Sequence, residues 1–188
     1  MSETIEEITS VMGAERIGNA PARIDWILTD SRSLCFPEET LFFALKTKRN
    51  DGHKYIHELY ERGVRNFVVS DLPENGEAYA DTNFLKVANP LRALQRLAAK
   101  HREQFQIPVV GITGSNGKTI VKEWLYQLLS PERIITRSPR SYNSQIGVPL
   151  SVWLLNEHTE LGIFEAGISE MEKSALRPFS ATLILSLP

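Results

Sequence analysis

The chain has 188 residues, with 21 Lys and Arg against 23 Asp and Glu, for a formal net charge of −2 at pH 7. At 42% apolar and 23% charged it has globular composition and can bury a core, which excludes overall disorder, and its length allows one large domain or two small ones. The near-neutral balance gives no electrostatic footprint for nucleic acid or anionic lipid, and the single Cys35 excludes an internal disulfide or an all-cysteine zinc site.

Glu3, Glu6 and Glu7 stand where a signal peptide would carry positive charge. No apolar run approaches the roughly 18–20 residues of a membrane span, so a cytoplasmic location without membrane insertion is expected. Ile5, Ile8 and Met12 recur at helical spacing, with Thr4 and Glu7 as a capping box and Gly13 as the stop. IDWILTD (24–30) alternates and predicts one half-buried strand with Ile24, Trp26 and Leu28 on the same face. LFFAL (41–45) reads as a short apolar strand, and KTKRNDGH (46–53) as a charged loop with an Asp-Gly turn. A short helix carrying Tyr55, Ile56, Leu59 and Tyr60 and closed by Gly63 comes next, then strands at NFVV (66–69) and FLKV (84–87). Asn89-Pro90 is a capping side chain followed by a ring that fixes the first helical dihedral. The helix it opens has Leu91, Leu94, Leu97 and Ala98 on one face. A domain boundary is expected at 105/106.

From Ile107 the pattern alternates strand and helix: IPVVGIT, a helix over 118–129 with apolar Ile120, Val121, Trp124, Leu125 and Leu128, then RIITR (133–137), a short helix over 149–155, LGIFEA (161–166) and ATLIL (181–185). Such alternation implies a parallel sheet with right-handed crossovers. Residues 106–188 are few for a nucleotide-binding domain, so an incomplete sheet is expected. The fold class is therefore α/β, a small N-terminal α/β domain (1–105) followed by an incomplete parallel-sheet P-loop domain (106–188).

GITGSNGKT (111–119) lies where a strand ends and a helix begins. Gly114 and Gly117 permit positive φ and close approach of a ligand, and the amides around Ser115 and Asn116 with the helix N-terminus suit a polyphosphate. Lys118 would reach the β- and γ-phosphates and the Thr119 hydroxyl would ligate Mg²⁺. The pattern departs from G-x-x-x-x-G-K-[ST], since position 112 is Ile. A second member of the site should end a neighbouring strand. Glu165, closing an apolar run before Gly167, fits as a Mg²⁺ carboxylate, and spacing alone leaves it equally readable as a solvated strand-end glutamate.

These segments resemble the Mur ligases, which build the peptide of peptidoglycan precursors. TGSNGKT with IVKEWL is similar to their ATP-binding loop. TDSR (29–32), LFFALK (41–46), NDGHKYI (50–56), NPLRALQRLAAKHR (89–102), SYNSQIGVPLSVWLL (141–155) and FEAG (164–167) occur in the family's order, and the resemblance is expected to fade beyond Ser169. The opening lacks the G-x-G-x-x-G of the members that add the first two amino acids. LFFALK with GSNGKTIVKE is most similar to the D-alanyl-D-alanine-adding members, and SPRSYNSQIG to a form fused to a C-terminal alanine racemase.

The resemblance implies an N-terminal domain holding UDP-MurNAc-tripeptide and a central ATPase domain. ATP would convert the tripeptide carboxylate to an acyl phosphate, which the amine of D-Ala-D-Ala attacks. It also implies a C-terminal domain that brings D-Ala-D-Ala, without which these 188 residues would not ligate. Carried over by motif, Gly114, Ser115, Asn116, Gly117, Lys118 and Thr119 bind nucleotide, Thr119 and Glu165 hold Mg²⁺, and Asn143 adjoins the substrate. Ser31, Arg32, Lys46, Asp51, Gly52 and His53 contact the UDP-sugar. Taken alone, Arg32 and the Lys46–Arg49 cluster also read as solvated surface, and His53 as a turn histidine. Two departures stand out: Thr47 where the family has glycine, and Ser144 where it has asparagine. Open alternatives are a UDP-sugar-binding module without ATPase activity, a ligase adding the third amino acid, and an unrelated P-loop ATPase.

Overall fold

Thr4 has the extended backbone of a cap, its side chain accepts the Glu7 N–H, and the Glu7 carboxylate accepts the Thr4 N–H in return. This reciprocal pair opens α1 (Ile5–Met12), and Gly13 at φ 63° closes it with N–H bonds back into the last turn. The molecule, a computed structural model, describes residues 3–47, 50–75, 78–167 and 182–187. By compactness it divides into Met1–Arg96 and Leu97–Pro188; the boundary expected at 105/106 follows the end of α3 (Pro90–Glu103), whereas this division falls inside that helix.

In the first unit, β1 (Glu3–Thr4) pairs antiparallel with β3 (Arg23–Ile24). The main sheet contains β2 (Glu15–Ile17), β4 (Trp26–Leu28), β5 (Thr40–Phe43), β6 (Asn66–Val69) and β7 (Asn83–Lys86) in the order β2-β7-β6-β5-β4. The last four are parallel, and β2 runs antiparallel to β7 at the edge. Leu28, Phe42, Phe67, Val69 and Phe84 pack with Ile56 and Leu59 of α2 (Ile56–Glu61). Leu41, Phe43, Val68 and Leu85, the alternate strand positions, are also fully buried. Near-continuous apolar strands are what a sheet covered on both faces demands.

The single strand expected over 24–30 is broken. The N–H groups of Asp25 and Trp26 both donate to the Glu39 carbonyl, at 3.1 Å each, which separates β3 from β4. Trp26 consequently is not buried as Ile24 and Leu28 are, and its half-exposed ring stacks on Phe36 at 5.2 Å.

In the second unit, β8 (Val109–Gly114), β9 (Ile135–Arg137), β10 (Leu161–Glu165) and β11 (Thr182–Leu187) form an all-parallel sheet in the order β11-β8-β10-β9. Val121, Leu125 and Leu129 of α4 (Lys118–Leu129) cover Ile112, Leu161 and Ile163 on one face. Val148 and Val152 of α5 (Gly147–Val152), with Leu155 and Ala98, pack on Val109, Phe164 and Ala166. Of the apolar residues that marked this helix in the sequence, Val121 and Leu125 face the sheet, whereas Ile120, Trp124 and Leu128 are 57%, 66% and 73% exposed. The chain leaves β8 toward β9 on one side and leaves β10 toward β11 on the other, so the carboxyl ends of β8 and β10 form a divergence point. Open α/β sheets bind their ligands at such points.

Candidate active site

At the carboxyl end of β8 the chain turns through Gly114 at φ 134° and Gly117 at φ 77°, bending at Ser115 and Asn116, and Lys118 begins α4. Both glycines occupy backbone regions that a Cβ disfavours. The Lys118 ammonium donates to the Gly114 carbonyl at 2.6 Å and lies 3.5 Å from that of Ser115, so the loop wraps its own cation. Ser115 and Asn116 are exposed at the start of the helix, where N–H groups and the helix dipole favour an anion.

Glu165 ends β10, the strand beside β8, and is wholly buried rather than solvated. Its Oε2 accepts from the Thr119 hydroxyl at 3.1 Å, and its own N–H donates to Ser138 Oγ at 3.1 Å. Lys122, one turn beyond Lys118, is also wholly buried, and its Nζ lies 2.9 Å from Glu165 Oε1 as an ion pair out of line for a hydrogen bond. Lys122 Nζ further donates to the carbonyls of Ser138, at 2.9 Å, and Arg140. A buried carboxylate and a buried ammonium are each costly alone, and here they neutralise one another.

The pair Thr119 and Glu165 fits Mg²⁺. An octahedral Mg²⁺ with oxygens at 2.0–2.1 Å sets adjacent ligands about 2.9 Å apart, and these two oxygens stand 3.1 Å apart. Among the described residues no group of three or more His, Cys, Asp or Glu forms a metal cage. Mg²⁺ commonly takes one or two carboxylates, phosphate oxygens and waters instead.

Asn143 lies on the loop after β9, and its carbonyl accepts the N–H of Gly167, two residues past Glu165, at 2.9 Å. The hydroxyl of Ser144 accepts the N–H of Gly147, the first residue of α5, at 3.0 Å.

In the first unit a second cluster forms where β5 and β6 end. Lys46 Nζ is 2.5 Å from Asp71 Oδ2 and 3.7 Å from Asp51 Oδ2. His53 Nδ1 is 2.6 Å from Asp51 Oδ1, while Nε2 accepts the Ser70 N–H at 3.1 Å; this network assigns the ring hydrogen to Nδ1. The hydrogen bonds from Lys46 and from the Ser70 hydroxyl hold the Asp71 carboxyl below the usual aspartate range, and Asp71 holds the Lys46 ammonium above its own. Burial raises the Asp51 carboxyl, but the hydrogen bonds from His53 outweigh it and leave the group lowered. Gly52 is buried where a Cβ would come within 2.8 Å of the Leu45 nitrogen, so only glycine lets this turn close on β5.

Ser31 and Arg32 follow β4 on the same carboxyl edge. Asp30 caps the short turn, and its carboxyl is lowered by the bidentate Arg32 side chain, at 2.9 and 2.6 Å. Arg32 is 87% exposed, and Arg62 holds the carbonyl of buried Ser31 at 2.8 Å. Residues 48 and 49 of the basic loop lie outside the described residues, and Thr47 closes it by hydrogen bonds with Asn50. Sequence reasoning missed Ser70, Asp71 and Lys122. The first two carried a readable signal, since NFVVSD places polar residues after an apolar strand as FEAG does; Lys122 carried none.

A glycine turn between a parallel strand and a helix, beside a buried carboxylate at the divergence point of the sheet, is the geometry of the nucleotide-binding class of α/β domain. The profile described as Mur ligase family, catalytic domain, matches residues 23–102, and that of the Mur ligase middle domain matches residues 112–186, past the point where the resemblance was expected to fade. The chain belongs to the Mur ligase family. It is similar to the UDP-N-acetylmuramoyl-tripeptide–D-alanyl-D-alanine ligases of Bacillus subtilis (33% identity over 78% of this chain and 31% of that one) and Synechocystis (36%, over 82% and 33%). Among solved structures it resembles the corresponding ligase of Acinetobacter baumannii (26% identity, TM-score 0.81, covering 95% of this chain and 40% of that one). It also resembles MurF of Thermotoga maritima in complex with ADP (27%, TM-score 0.70, 85% and 37%). The chain spans about a third of the length of the curated relatives it matches.

Proposed function

We propose that these residues are the UDP-sugar- and ATP-binding part of a ligase that joins D-Ala-D-Ala to UDP-MurNAc-tripeptide, as the similar proteins' names describe. The observation that carries the reading is the convergence of the GSNGKT turn, Thr119 and buried Glu165 on one edge of a parallel sheet. When bound, Mg·ATP supplies the phosphoryl group that turns a poor electrophile, the tripeptide carboxylate, into an activated acyl group.

Gly114–Thr119 cradle the phosphates, and Lys118 exchanges its loop carbonyls for phosphate oxygens, cancelling charge between two anions. Thr119 and Glu165 present two oxygens to Mg²⁺, and Lys122 holds the Glu165 carboxylate in place through their 2.9 Å ion pair. The loop of Asn143 brings the substrate to this edge. Ser31, Arg32, Lys46, Asp51, Gly52 and His53, with Ser70 and Asp71, take the UDP-sugar through backbone groups, hydroxyls and cations. In this reading residues 1–105 serve the sugar nucleotide and 106–188 the ATP. D-Ala-D-Ala is brought by a C-terminal domain, fused to an alanine racemase as SPRSYNSQIG suggests, and the 188 residues alone do not ligate. No described helix is long and apolar enough to cross a membrane, and we assign the ATP-dependent reaction to the cytoplasm.

Calorimetry of the 188-residue chain with UDP-MurNAc-tripeptide and with Mg·ADP tests this. Binding of both is expected; sugar binding without nucleotide binding would favour a binding module, and neither would overturn the reading.

A further inference from the structure

Arg140 is one of two described non-glycine residues with positive φ, at 49°, a conformation that costs an L-residue energy and persists where its surroundings impose it. The cause is local: Lys122, wholly buried, grips the Arg140 carbonyl together with that of Ser138 and ion-pairs with Glu165. One ammonium thus ties the Arg140 backbone to the carboxylate facing Thr119. Arg140 follows β9, neighbour of β10, on the same carboxyl edge as the phosphate loop.

Its side chain is exposed, and no described residue makes a hydrogen bond or ion pair with its guanidinium. Arg137, three residues earlier, contrasts with it: that guanidinium lies 3.7 Å from the Tyr126 ring centroid and pairs with Glu123. Of these two arginines, one is consumed by packing and the other is held out on a strained, pinned backbone.

We propose that Arg140 is a binding residue for the terminal phosphate of the nucleotide, reading the group that distinguishes a triphosphate from a diphosphate. This rests on the nucleotide-binding reading given above. A planar guanidinium matches a phosphate's oxygens bidentately, and a fixed backbone reduces what ordering it costs. The loop amides serve the phosphates common to both nucleotides and Lys118 spans the second and third, whereas Arg140 adds contact only where the third is present.

The test is calorimetry of the full 188-residue chain with Mg²⁺ and either ADP or the imido analogue of ATP, for the wild type, Arg140→Ala, Arg140→Gly and Arg140→Lys. Glycine keeps the left-handed backbone free of strain, so a loss it shares with alanine belongs to the guanidinium. Both should weaken the triphosphate analogue about tenfold or more while leaving ADP within twofold, and lysine should restore part of the loss. Analogue affinity within twofold of wild type, or equal loss for both nucleotides, overturns the role of Arg140 alone. A wild-type chain that binds neither nucleotide overturns the nucleotide-binding reading, and this inference with it.

Discussion

Thr119 Oγ1 and Glu165 Oε2 meet at 3.1 Å, joining the first turn of α4 to the last residue of β10 across 46 positions of sequence. The contact sets two hard oxygens side by side, so in the proposed reading a cation that takes them both needs little reorganisation.

In the proposed reading, Lys118 carries the charge that moves from its loop carbonyls to the ligand. Lys118→Ala should weaken Mg·ADP by about 2–3 kcal/mol, the worth of charge-assisted hydrogen bonds, while UDP-MurNAc-tripeptide binds as before. Calorimetry with each ligand decides it, and equal loss of both would contradict the assignment of the two ligands to different units.

Lys122→Met leaves a buried carboxylate without its counterion. The expected cost is about 3–5 kcal/mol in urea unfolding. Adding Glu165→Gln should recover part of that cost, because the uncompensated charge is then gone, and a double variant as unstable as the sum of the singles would refute the pairing.

Asp71 and Lys46 make a pH-dependent contact. A carboxyl held below its unfolded value contributes stability above the unfolded pKa, near 4, and loses it as pH falls through the lowered folded value. At neutral pH the contact is therefore fully present. Carboxyl-detected NMR should find Asp71 titrating below the ordinary aspartate range, and Lys46→Met should move it upward. No movement would remove Lys46 as the cause.

Gly52→Ala should destabilise the first unit by about 1–3 kcal/mol, since backbone rather than a flexible side-chain end blocks the new methyl. UDP-MurNAc-tripeptide affinity should fall with it, because Asp51 and His53 flank the displaced turn. Thermal unfolding and calorimetry on the same variant check both expectations.

Much of this architecture was legible in local chemistry. The Thr4–Glu7 box, the Asn89-Pro90 start, the strand at 66–69 and the helix at 118–129 all depend on neighbours in sequence. What escaped depends on distant partners. Asp71 meets Lys46 across 25 residues and Lys122 meets Glu165 across 43, and neither encounter leaves a trace in spacing. Which stripe of α4 faces inward was left open by the sequence for another reason. Two apolar stripes share the helix, and only the packing of Val121, Leu125 and Leu129 on the sheet decides between them. Trp26 was misplaced because Glu39 interrupts the alternation that would have turned it inward.

The outward stripe of α4 gives the molecule a built-in optical probe. Trp124, 66% exposed, sits on the helix that begins with Lys118, whereas Trp153 is buried against His101 and Trp26 lies half-covered by Phe36. The three indoles thus differ in exposure, so iodide quenches Trp124 most, Trp26 less and Trp153 least. Occupation of that loop can be followed by light alone, with no label attached.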